Sequence, residues 1–271
     1  MLMRLLSSLL LMGSLVSNSA FAYEEAVPRY ALVIGNSGYR HAPLKNTAND
    51  ARDMAAALGQ LEYKVTLKID LRQGEFVDVV KQFYGQVKSK NSISIFYYAG
   101  HAVQVENTNY LIPVQSAIQD IAMLRANSFA LSKLLFIIKN SPGDQNIIVL
   151  DACRDNPFRA QGASTTGDVD QFAGLLGGLA PVEAPANTLV AYSTEPGNVA
   201  SDGAGRNGAY TAALLKHIAK PILAEELFKK VRKDVIKATK HRQTPWEHSS
   251  LTHKFYFGAP VNEEISDIVS F

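Results

Sequence analysis

Two residues in this chain have side chains whose pairing would make a nucleophile. Cys153 is the only cysteine in 271 residues, and His101 precedes it by 52 positions. A thiol is mostly protonated at neutral pH. The thiolate is its reactive form, and a nearby imidazole can take the proton or stabilise the anion. Arg154, next to the cysteine, adds positive charge acting in the same direction. Both residues follow apolar runs: Ser92–Tyr98 (SISIFYY) leads through Ala99 and Gly100 to His101, and Asn146–Leu150 (NIIVL) leads through Asp151 and Ala152 to Cys153. If both runs are strands of one parallel sheet, the pair leaves it at the carboxyl edge, where open α/β sheets bind their ligands. Taken singly, such a cysteine is often a small buried hydrophobe and such a histidine a satisfied core group. The coincidence at matching strand ends is what points to catalysis.

The rest of the chain reads as the frame for those ends. Arg29–Gly35 (RYALVIG) is a short apolar run closed by glycine, the pattern of a buried strand. Thr47-x-x-Asp50 resembles a capping box ahead of a helix over Asn49–Leu58. Tyr63–Ile69 alternates as a strand, and Phe76, Val79, Val80, Phe83 and Val87 fall at helical spacing over about Glu75–Lys88. Val103–Ile112 has a hairpin pattern with Glu106–Asn109 at its turn, and Leu131, Leu134, Leu135 and Ile138 mark a third helix. Thr188–Tyr192 is another strand, Gly208–Ala219 and Ala224–Lys240 are helices, and Phe255–Phe257 is expected as a last short strand. Apolar strands alternating with helices imply an α/β fold, with a mostly parallel central sheet flanked by helices on both faces. Arg159–Asn187 and Ser193–Asn207 lack periodicity and are expected as loops beside the site; the first is expected to be poorly ordered.

Composition narrows the function classes. With 47% apolar residues the chain can bury a full core, and a net charge of +2 lacks the basic excess of a nucleic-acid binder. A single cysteine excludes an internal disulfide framework and any cysteine-rich metal site. Residues 1–22 read as a secretory signal peptide. Arg4 supplies the positive start, Leu5–Val16 the apolar run, and Ala20-Phe21-Ala22 the small-x-small cleavage pattern. The expectation is an exported protein, periplasmic or secreted, whose domain occupies 23–271 with no membrane span after signal removal.

The residues around the candidate pair carry a more specific signal. A histidine about 50 residues before an Ala-Cys signature is the spacing of caspases. Here the segment is Asp151-Ala152-Cys153-Arg154-Asp155-Asn156-Pro157-Phe158, with Tyr98-Ala99-Gly100-His101 upstream. With Ala31–Asn36, Leu44–Asp50, Tyr110–Val114, Tyr210–Leu215 and Gln243–Glu247, it resembles the bacterial metacaspase-like (orthocaspase) branch of the caspase clan. The resemblance spans nearly all of 23–271. It implies a caspase-hemoglobinase fold and a cysteine endopeptidase with His101 as general base and Cys153 as nucleophile. It also implies an oxyanion site at the N–H groups of Ala102 and Cys153. Asp50 and Asp151 match the carboxylates that line the primary pocket in metacaspases, so protein or peptide substrates with Arg or Lys at the cleavage site are expected. Position 102 is usually glycine in that family, and the alanine raises the alternative of an impaired caspase-like scaffold or binding module. A cysteine hydrolase of another bond, such as a transpeptidase, is a further alternative. The family linker matching 159–187 is often cut during maturation. Calcium is a cofactor of many relatives, but Gln115 stands where an Asp commonly follows Pro-Val. No cofactor and no metal ligand are therefore expected.

Other patterns are weaker. Gly203-x-Gly205-x-x-Gly208 lacks the immediately preceding strand that a dinucleotide site needs. His248 and His253 have no carboxylate pair suited to zinc, and Lys229, Lys230, Arg232, Lys233 and Lys237 form a solvated helix face.

Overall fold

The computed structural model describes residues 27–87, 91–141, 143–153, 179–195 and 205–258, with the backbone alone at Cys153. The expected signal peptide, Arg154 and most of the expected loop 159–187 lie outside the described residues.

The apolar runs form the strands of one sheet. Strand β1 (Arg29–Gly35), helix α1 (Thr47–Gln60), β2 (Lys64–Ile69), α2 (Gln73–Tyr84) and β3 (Ile93–Val105) come first. A hairpin strand β4 (Thr108–Leu111), α3 (Ile121–Asn127), β5 (Phe129–Ala130) and α4 (Leu131–Lys139) follow. The chain continues through β6 (Gln145–Cys153), β7 (Thr188–Tyr192), α5 (Ala209–His217), α6 (Ala224–Ala238) and β8 (Trp246–Ser249). The order across the main sheet is β2-β1-β3-β6-β7-β8, parallel except for β8. Because β1 pairs with β2 on one side and β3 on the other, the topological switch lies between β1 and β3, where a crevice opens at the carboxyl edge.

Both faces are covered, as the apolar runs require. One face packs Val33, Tyr97 and Val149 against Met54 of α1, Leu214 of α5 and Val231 of α6. The other packs Leu32, Phe96 and Ile148 against Phe76 of α2 and Leu134 of α4. Gly35 permits the first layer to close: a Cβ there would stand 2.5 Å from both the Ala51 Cβ and the Thr47 carbonyl oxygen.

Three sequence expectations need correction. The last strand is Trp246–Ser249, not Phe255–Phe257. Phe255 and Phe257 are buried under α6 in the core, but they contact the fold through side chains and loop hydrogen bonds rather than a ladder. Burial and strand pairing are separate requirements, and the short edge strand β8 carries little apolar signal. The capping box does not form either. Thr47 Oγ1 donates to the Asn36 carbonyl at 2.7 Å, and the Asp50 carboxylate accepts from Gly208 N–H at 2.9 Å. Finally, the end of the expected loop is packed: Leu179 and Ala180 are buried, and the Asn109 side chain bonds both backbone groups of Ala180.

Candidate active site

Strand β3 does not stop at Tyr98. It runs through His101 into the β4 hairpin, and all 13 of its residues are buried. This extension brings the candidate pair together: in the parallel β3–β6 ladder, His101 is in register with Cys153 and Ala99 with Asp151. Neighbouring strands lie about 4.8 Å apart, so positions 52 residues apart in sequence become backbone neighbours.

The His101 ring is held from several sides. Its Nε2 lies 2.7 Å from the carbonyl oxygen of Ala42 in the loop after β1. A carbonyl only accepts, so Nε2 carries the proton, and in the neutral ring Nδ1 carries the lone pair. Ala42 has φ 57°, an uncommon left-handed conformation for a residue with a Cβ. The Tyr39 ring packs against the imidazole with centroids 4.4 Å apart. The same tyrosine hydroxyl accepts from His101 N–H at 3.0 Å and donates to the Ile112 carbonyl at 3.0 Å. Tyr98 Oη donates toward the His101 carbonyl at 2.8 Å, and burial holds this phenol well above its ordinary pKa. Two phenols therefore brace the histidine backbone.

Gly100 makes room for this brace. A Cβ there would lie 2.6 Å from Tyr98 Oη and 2.7 Å from Tyr39 Oη. We expect Gly100→Ala to cost about 1–3 kcal/mol of stability, because overpacking must displace both hydroxyls. A thermal melt beside wild type checks this, and an unchanged midpoint would show that the tyrosine pair is not rigidly seated.

The two carboxylates converge on one structural element. Asp50, only 2% exposed, accepts from the N–H of Gly208, the N-cap residue of α5. Asp151 accepts from Thr211 Oγ1 at 2.6 Å, one turn into the same helix. Helix N-termini favour negative charge, so α5 gathers both acids. Tyr97 Oη lies 2.5 Å from Thr211 Oγ1, and burial together with the charges of Asp151 and Asp50 pushes this phenol well above its usual pKa. The helix start is itself tied to α1 by Arg206, whose guanidinium bonds both oxygens of Asp53 at 2.8 Å. That pairing lowers the Asp53 pKa.

Ala102 lies within β3, with its side chain in the core shared with α2 and α4. It is not among the residues with positive φ, so this backbone needs no glycine at 102. Sequence reasoning missed the Ala42 carbonyl, Tyr39, Tyr98 and Thr211. A backbone carbonyl has no sequence signature, and the other three read as ordinary core or helix positions.

The caspase domain family matches this chain over residues 28–256. The mucosa-associated lymphoid tissue lymphoma translocation protein 1 homolog of Mus musculus is 26% identical over 243 residues, which are 87% of this chain and 27% of that protein. Caspase-1 of Mus musculus is 26% identical over 245 residues, 84% of this chain and 59% of that protein. The chain thus spans less than two thirds of the length of either relative. With a mostly parallel sheet, helices on both faces, and a family match running from the start of β1 past the end of β8, the chain belongs to the caspase domain family of cysteine peptidases.

Proposed function

We propose that this chain is a cysteine endopeptidase that cleaves after arginine or lysine. The observation that carries the reading is the register of His101 with Cys153, combined with the hydrogen bond from His101 Nε2 to Ala42. In this reading the Nδ1 lone pair takes the thiol proton, and the Cys153 thiolate attacks the scissile carbonyl to form a tetrahedral oxyanion. The N–H groups of Ala102 and Cys153 are the proposed donors to that oxyanion. His101 then returns the proton to the leaving amine, and water, deprotonated by the same ring, releases the acyl group. The Ala42 carbonyl stabilises the imidazolium that exists between these transfers.

Asp50 and Asp151 are the proposed recognition groups for the cationic side chain before the scissile bond. Their placement at one helix start supports a shared anionic pocket. No step is routed through calcium. Gln115 offers a neutral amide, and among the described residues no three His, Cys, Asp or Glu side chains are grouped to hold a metal. Export is proposed from the leader pattern of residues 1–22. Among the described residues no helix is long and apolar enough to cross a membrane.

The test is a panel of reporter peptides alike except for Arg, Lys, Asp or Ala before the bond. Cleavage of the Arg and Lys peptides, with the Asp and Ala peptides slower by at least tenfold, is expected. Preference for Asp would refute the pocket assignment, and cleavage of none would favour a binding module.

A further inference from the structure

A cavity of about 320 Å³ opens beside His101, lined by Arg40 and His41 of the loop after β1 and by Gln115, Ser116 and Gln119 after β4. It shares the His101 ring with the proposed catalytic centre. Among the described residues its lining contains no carboxylate, whereas Asp50 and Asp151 gather at α5. Among the described residues Arg40 is exposed and makes no ion pair.

The chemistry of the leaving step says what passes this cavity. The group that protonates the leaving amine must lie next to it. The residue that begins with that amine therefore sits on the histidine side of the scissile bond, and the cationic residue before the bond sits on the carboxylate side. We propose that the cavity beside His101 binds the first residue of the leaving half and selects an acidic side chain there through Arg40. A planar guanidinium can take a carboxylate bidentately, and the side-chain amides of Gln115 and Gln119 and the Ser116 hydroxyl can donate further hydrogen bonds to it. Ser116 now donates to the Pro113 carbonyl at 2.7 Å. The site is thus read as polarised, with an anionic pocket for a basic residue before the bond and a cationic one for an acidic residue after it. This inference rests on the peptidase reading above.

The experiment fixes Arg before the bond and varies only the next residue among Glu, Ala and Lys, with kcat/KM measured for the full chain and for Arg40→Glu. Wild type should favour Glu over Lys by roughly tenfold, and Arg40→Glu should reverse the order. Because Arg40 is exposed, the variant is expected to melt with wild type, and the ratio of substrates cancels any loss of active enzyme. Equal rates on all three peptides, a preference for Lys, or a Glu preference that survives in Arg40→Glu would overturn the inference while leaving the peptidase reading intact. If none of the arginine peptides is cut, the peptidase reading fails and takes this inference with it.

Discussion

Cys153→Ala and His101→Ala should each abolish cleavage of an arginine peptide, lowering kcat/KM by on the order of 10⁴ or more. The size follows from the division of labour. In the proposed mechanism there is no acyl intermediate without the thiol, and without the imidazole the thiol proton has no acceptor placed to return it to the leaving amine. The two losses should not add, because in the proposed mechanism nucleophile and base act as one unit. The double variant should match the worse single variant. Ala42 supports the histidine through its backbone, so no side-chain substitution there mimics the loss. Removing the His101 ring also takes a partner from Tyr39, and its melting midpoint should fall. His101→Gln keeps much of the volume and separates packing from proton transfer. Activity retained in Cys153→Ala and in both His101 variants would eliminate the dyad.

Asp151→Asn should cut kcat/KM on arginine peptides by roughly 10²–10⁴. Removing one partner of a desolvated ion pair costs about 3–5 kcal/mol, and each 1.36 kcal/mol is a factor of ten. The amide is the informative replacement because its carbonyl can still accept from Thr211, so the link to α5 survives. Asp50→Asn likewise keeps an acceptor for Gly208 N–H. The discriminating comparison is a citrulline peptide, which has the shape of arginine without its charge. Wild type should prefer arginine strongly over citrulline, and Asp151→Asn should erase most of that difference. If arginine and citrulline peptides fall together, Asp151 shapes the site rather than recognising charge.

The sequence by itself determined the layered α/β architecture. Uninterrupted apolar runs such as RYALVIG and NIIVL can be satisfied only by burial on both faces, and the helices between them repeat their apolar residues at helical spacing. It also determined that His101 and Cys153 follow apolar runs, since the residues after a run are read directly from its end. Boundaries were less legible. Helix α3 is seven residues long and buries only Leu124, and the edge strand Trp246–Ser249 is largely solvated, so neither carries enough apolar signal to stand out. Phe255 and Phe257 carry strong apolar signal yet join no ladder.

Only the tertiary structure decided the register that sets His101 opposite Cys153, the turn at Ala42 that brings a carbonyl to Nε2, and the anchoring of both Asp50 and Asp151 on the start of α5. The cavity under Arg40 belongs to the same group, because its walls come from two loops far apart in sequence. The physical reason is common to all four. Local pattern reports what a residue needs, burial or solvent, helix or strand. Which distant backbone group meets that need depends on strand order and crossover direction, and these are settled only when the whole sheet closes its hydrogen bonds and covers both faces.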